Sequence, residues 1–169
     1  MGLLDPKRVY AAELAAVCRP GESLRAVEHA SYAPGVEDTG PEHLGVTFDP
    51  INGLDVPGAN RSVEKAIGGV TLIGAPSSLG SRLAQSLGEA GHVVLTDRRL
   101  VVMTLDSTTS AVRLEAPIAE IADIAWDPRP LQHGRVRIVL RDSSLVRLLC
   151  GLMFPGAARR LASAWSESS

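Results

Sequence analysis

The chain is poor in the residues that announce a chemistry. It has two cysteines among 169 residues, Cys18 and Cys150, with neither CxxC spacing nor a histidine beside them, so a zinc ribbon does not fit. Both read as small core thiols in a reducing cytoplasm, and spacing alone does not bring their Cβ atoms within disulfide reach. The four histidines, His29, His43, His92 and His133, stand singly without HxxxH or HExxH spacing, so no metal site is expected. Lysine is reduced to Lys7 and Lys65, against fifteen arginines, a bias that reflects coding composition more readily than selected guanidinium contacts.

Long apolar runs are missing too. The stretch from Ala66 to Ala75 is well short of the roughly 20 residues that a membrane-crossing helix needs. Met1 to Arg19 has no apolar h-region, so export by a signal peptide is not expected and a cytoplasmic location is. Net charge is small at −2, with seven basic and eleven acidic residues before Gly91 and ten basic and eight acidic from Gly91 onward. A polarity of that size does not call for a nucleic-acid partner.

Reaction motifs are equally thin. Ser62-Val63-Glu64-Lys65 satisfies SxxK, which would set a nucleophile one helical turn from a lysine, yet no companion active-site motif follows it. The glycines around Gly69 to Gly74 lack the Lys-Ser or Lys-Thr of a phosphate loop. No cofactor is implied.

What is present is β-structure. His92 to Met103, HVVLTDRRLVVM, sets two apolar, β-branched runs about a Thr-Asp-Arg-Arg joint whose side-chain oxygens can cap a turn, and so predicts a tight hairpin. Ser110 to Ala116 and His133 to Asp142 alternate as half-buried strands. Glu120 to Asp127 is a strand with one irregular step, and Asp142-Ser143-Ser144 turns into a further strand, LVRLLC. That makes six strands from His92 onward and seven with ESLRAVEHASY, whose period is near two. Phe154, Ala158, Leu161 and Trp165 follow an i, i+4, i+7, i+11 course and predict a closing amphipathic helix.

The flanking segments read differently. Asp5 to Arg19 predicts an N-terminal helix with Asp5 as N-cap and Val9, Leu14 and Val17 on its apolar face. From Ala33 to Asn60, Pro34, Pro41, Pro50 and Pro57 lie among glycines and acidic residues, a composition of surface loop, partly disordered. Arg61 to Gly91 reads as a Gly-rich helix pair, or one helix broken near Pro76. Its role is either packing over the β-domain or shallow insertion into lipid.

Seven antiparallel strands before a C-terminal helix resemble the pleckstrin-homology-like (PH-like) superfold, and VVLTDRRLVV resembles the strand-turn-strand signature of bacterial PH-like and GRAM-like domains. The match covers Gly91 to Trp165 and the strand near Leu24. It implies a mainly β domain with helices, a seven-stranded antiparallel barrel or roll closed by a C-terminal helix. Residues 1–20 are then an N-terminal helix, 22–32 and 91–167 the PH-like domain, and 33–90 a Gly/Pro-rich insertion. Eukaryotic members often bind inositol phosphates through basic residues between the first two strands. Here that connection is acidic and holds only Arg61, Lys65 and Arg82, so no such cradle maps onto it.

The expected function is a non-catalytic binding or scaffold module for a protein partner, docking through exposed strand edges and the Gly-rich segment. The alternative is peripheral association with the inner membrane face through residues 66–88, and a third reading is a serine hydrolase using Ser62 and Lys65. Candidate ligand-binding residues are Arg98 and Arg99 at the hairpin and Arg135, Arg137 and Arg141 on one strand face, which Arg113 and Arg147 could join. The competing expectation is structural: Asp97 fixing the turn beside Arg98 and Arg99, and a solvated sheet face cross-paired with residues such as Glu115.

Overall fold

The computed structural model describes residues 6–39, 69–88, 90–105, 110–151 and 153–167. Ser62, Lys65 and most of the predicted loop between Ala33 and Asn60 lie outside the described residues.

Two antiparallel meanders run in succession along the chain. Four strands, β1 (Leu24–Ala30), β4 (Gly91–Thr96), β5 (Arg99–Leu105) and β6 (Ser110–Pro117), form one sheet in that order. The predicted hairpin is its centre, with Val93 opposite Val102 and Leu95 opposite Leu100. A 3-10 turn at Ile118–Glu120 leads into β7 (Ile121–Trp126), β8 (Arg135–Leu140) and β9 (Leu145–Leu149), which build the second sheet. The irregular step read in β7 is a register shift between Ile121 and Asp123.

Two strands were not foreseen. Val36–Asp38 (β2) and Val70–Ile73 (β3) pair in parallel and extend the second sheet in the order β2-β3-β9-β8-β7. The expected helix pair is therefore a strand followed by a single helix, α3 (Leu79–Leu87), and Pro76 falls in the turn between them. β-branched Val70, Thr71 and Ile73 favour extended backbone, and Leu72 and Ile73 register against Val146 and Leu145.

The sheets face each other across a shared core but do not close into a barrel. Among the described residues a single cross-sheet bridge joins Ser31, just past β1, to Leu149 at the end of β9. Side chains from both sheets, Leu83 and Leu87 of α3, and Ala158 and Leu161 of the C-terminal helix α4 (Gly156–Ser166) fill the space between. A second, smaller cluster lies on the outer face of the first sheet, where α2 (Ala11–Val17), which follows the short α1 (Pro6–Val9), covers Val27, Val94, Val101 and Met103 with Leu14. This explains why β4 is buried at every position and carries the apolar run Val93 to Leu95 on both faces: both are covered.

Three expected faces are corrected. The N-terminal helix breaks at Tyr10, and Val9 is exposed while Leu14 is buried. Val112 is exposed because the β5–β6 register shifts between Val102 and Met103, so Val112 and Leu114 do not share a face. Phe154 precedes α4 instead of lying on its apolar face and is 81% exposed.

Helix α3 begins against the second sheet. Ser78 caps it by accepting from the Ser81 N–H, while Asp142 of the β8–β9 turn accepts from the Leu79 N–H at 2.7 Å and Ser144 Oγ accepts from the Gly80 N–H at 2.9 Å. A side chain on Gly80 would crowd Ser144. Three of the helix's first donors, which have no partner within the helix, are thus met by side chains.

Candidate binding surfaces

At the hairpin joint the arginines diverge. Arg99 is buried and points back along the sheet, where Nε and Nη2 donate to the two Glu22 oxygens at 2.8 and 2.9 Å, Nη1 meets Glu115 at 2.6 Å, and Nη2 also donates to the Val17 carbonyl. Arg98 is exposed and donates to the Gly21 carbonyl at 3.1 Å. Asp97 accepts from the Ser23 N–H at 2.9 Å, so it ties the turn to the start of β1 and bonds to neither arginine. Thr96 closes the turn, accepting from the Arg98 and Arg99 backbone N–H groups and donating to Glu22 at 2.7 Å. Glu115 takes Arg19 as well at 2.7 Å. The joint is a structural knot in which Arg99 already holds two carboxylates.

On the outer face of the second sheet, Arg135 and Arg137 come together with Arg147, directly opposite Arg137 on β9. Asp127 sits between two of them, accepting from Arg135 at 3.2 Å and Arg147 at 2.8 Å, and Asp123 takes Arg137 at 2.9 Å. Burial pushes the Asp127 carboxyl up, but the guanidinium groups of Arg147 and Arg135 outweigh it and hold its pKa below the ordinary aspartate value. Arg147 also donates to the Val70 carbonyl, linking β9 to the unforeseen β3. Arg135 is buried at 1% exposure; the charged face is a cross-paired network. Arg141 lies exposed in the β8–β9 turn, and Arg113 donates from the other sheet to the Ser86 carbonyl. The five candidate arginines therefore occupy separate places: two at the hairpin, two in the network and one in a turn.

The segment expected to meet lipid has its apolar side inward. Leu79, Leu83, Ala84 and Leu87 of α3 are buried in the core. Among the described residues no helix is long and apolar enough to cross a membrane, and no three His, Cys, Asp or Glu side chains converge as a metal-binding group.

A surface that the sequence did not single out lies between β1 and α4. It is a groove of about 820 Å³ whose walls carry Lys7, Arg25, His29, Arg159 and Arg160 against Glu28 and Glu167. Glu28 is buried on its floor and held by Arg160 through two bonds of 2.6 and 2.7 Å. β1 is an edge strand here. Ser31 exchanges both backbone bonds with Leu149, at 3.0 and 2.9 Å, and strand alternation turns the backbone of Val27 and His29 the same way, away from β4. Lys7 donates to the outward Arg25 carbonyl at 2.7 Å. The readable signal was the alternation of Arg25, Val27 and His29; what hid the groove was α4, whose arginines return to β1 from the far end of the chain.

No protein-family model matches this chain, and no curated protein matches it.

Proposed function

We propose that the chain is a PH-like, non-catalytic binding module that takes an extended segment of a protein partner along β1. The fold reading is supported by the division of seven antiparallel strands into β1, β4, β5, β6 and then β7, β8, β9, followed by a C-terminal helix packed on both sheets. In this reading β2 and β3 are additions carried by the chain between β1 and β4. The observation that carries the function is the edge of β1 beside a basic groove: backbone groups there supply main-chain pairing, and Arg25, Arg159 and the Arg160–Glu28 pair supply selectivity.

A photo-crosslinking residue at Ser163, on the helical wall, tests this in the native cell. A discrete protein adduct is expected, lost in His29→Pro, which removes an outward N–H that an edge strand can do without, and kept in His29→Ala. No adduct, or the same adduct in His29→Pro, would rule the reading out.

A further inference from the structure

The loop between β9 and α4 shows solvent an apolar tip that packing does not require. Phe154 is 81% exposed and Met153, next to it, 57%. Neither is a side chain caught on a mobile tail. Cys150 N–H donates to the Gly134 carbonyl at 2.7 Å, Gly134 lies directly against the Gly151 backbone, and Gly151 holds a φ of 103° that suits glycine. Pro155 then begins α4, accepting from the Arg159 N–H at 2.9 Å. The tip is anchored on both sides.

Gly134 ends the β7–β8 loop, which carries a second exposed apolar residue, Leu131, at 62%. Leu131 sits at φ 64°, a conformation that costs a leucine strain, in a Pro130-Leu131 turn bridged by Arg129 and Gln132. A polar residue or glycine would suit that position better, so a leucine held outward there is the more informative. Both loops leave the same end of the second sheet, where Arg135 pairs with Leu149.

Basic groups flank the tip. Arg159 and Arg160 are exposed in the first turns of α4, with Arg159 stacked over Trp126 at 4.1 Å and Arg160 holding Glu28, and Arg129 stands half-buried in the neighbouring loop with its guanidinium over Gly69. The nearby carboxylates Glu28 and Asp127 are already engaged, Glu28 by Arg160 and Asp127 by Arg135 and Arg147. A stable protein interface buries roughly 800 Å² on each partner in a complementary fit. Two or three protruding apolar side chains ringed by arginines do not supply that, whereas a fluid bilayer accepts a wedge without a matching pocket.

We propose that Met153 and Phe154 insert into the boundary between headgroups and acyl chains of an anionic lipid surface, with Leu131 beside them and Arg129 and Arg159 against the headgroups. Apolar insertion and arginine attraction act together, which makes the association reversible and dependent on salt. The site differs from residues 66–88 and adjoins the β1 groove, whose wall also carries Arg159.

Co-sedimentation of the full chain with vesicles of phosphatidylcholine alone, and of phosphatidylcholine doped with phosphatidylglycerol, tests it. Binding is expected to the anionic vesicles, weakened at least roughly tenfold by Met153→Ser with Phe154→Ser, a change on the surface that leaves the melting temperature in place. Phe154→Trp gives a second readout: its emission moves to the blue with anionic vesicles and is quenched by brominated acyl chains. Absence of binding to anionic vesicles, or equal binding by the double variant, overturns the proposal. Equal binding to neutral vesicles removes the role given to the arginines. If the double substitution instead splits a dimer in light scattering, the tip is a contact between copies and the lipid reading fails. His29→Pro leaves vesicle binding unchanged.

Discussion

Glu22 and Arg99 lock the start of β1 to the hairpin through two parallel hydrogen bonds, with the Glu22 side chain fully out of solvent and that of Arg99 6% exposed. A pair buried this deeply is held by geometry, because both ions have left water and each is the other's main compensation. Arg99→Met leaves Glu22 charged in the interior and is expected to cost about 3–5 kcal/mol. Urea unfolding checks this, and Arg99→Met with Glu22→Leu should lose less than the two single changes added together.

The same pair sets the acid limb of stability. The Arg99 hydrogen bond, with help from the Arg19 N–H and Thr96 and against the effect of burial, holds the Glu22 carboxyl down to about 2 from an ordinary 4.5. The folded chain therefore binds this proton less readily than the unfolded chain. The contribution is fully present above 4.5 and is lost as pH falls toward 2. It amounts to roughly 3 kcal/mol, and Glu22→Gln flattens that part of the stability profile measured by denaturant titration.

Asp142 caps a helix more than sixty residues earlier in the chain through the Leu79 N–H, and its own turn through the Ser144 N–H at 3.0 Å and Ser144 Oγ at 2.5 Å. Asp142→Ala is expected to cost about 1–2 kcal/mol and to raise amide exchange in the first turn of α3 before any other element. Unchanged exchange at Leu79 to Ser81 would contradict the capping role.

The two thiols part company. Burial pushes Cys150 up to about 12, with Glu28 adding to it, and Cys150 is 1% exposed, while Cys18 is half-buried near the surface with a smaller rise from burial and Glu22. Native protein is expected to label at Cys18 first, more slowly than a free thiol because its pKa is raised, with Cys150 reacting at the rate of global opening. Peptide mass mapping after timed alkylation separates them.

Gly134 has no room for a side chain, since a Cβ there would run into the carbonyl of Gly151. Gly134→Ala is expected to destabilise by more than about 2 kcal/mol, with near-ultraviolet dichroism from Trp126, which donates to the His133 carbonyl, changing in step.

Much of the fold could be read because the meanders are local. Val93, Val94 and Leu95 meet Leu100, Val101 and Val102 across a two-residue turn, and β8 shows its alternation through Val136, Ile138 and Leu140. β3 escaped because Val70 to Ile73 sits between glycines, which suit a strand or close helix contacts equally, and its partners lie on β9. Phe154 falls outside α4 although it keeps the helical spacing, because spacing does not say where a helix begins. The surfaces were least legible: Arg99 finds Glu22 and Arg160 finds Glu28 across long separations in sequence, and local periodicity carries no record of either meeting.

The sequence separation between β1 and β4 has a consequence for folding. Their pairing adds the edge strand to the first sheet, yet everything from Ser31 to Ala90 lies between them, whereas β4, β5 and β6 follow one another through short connections. Local hairpins close fast, and pairings that span long intervals wait for loop closure. Folding should therefore start in Gly91 to Pro117, with β1 and then α4 arriving afterward. Truncations at β1 would then speed unfolding more than they slow refolding. A chain leaving the ribosome carries Leu24 to Ala30 with both strand edges bare throughout the synthesis of the long excursion, which is the interval in which this segment is most open to a chaperone or to another copy of itself.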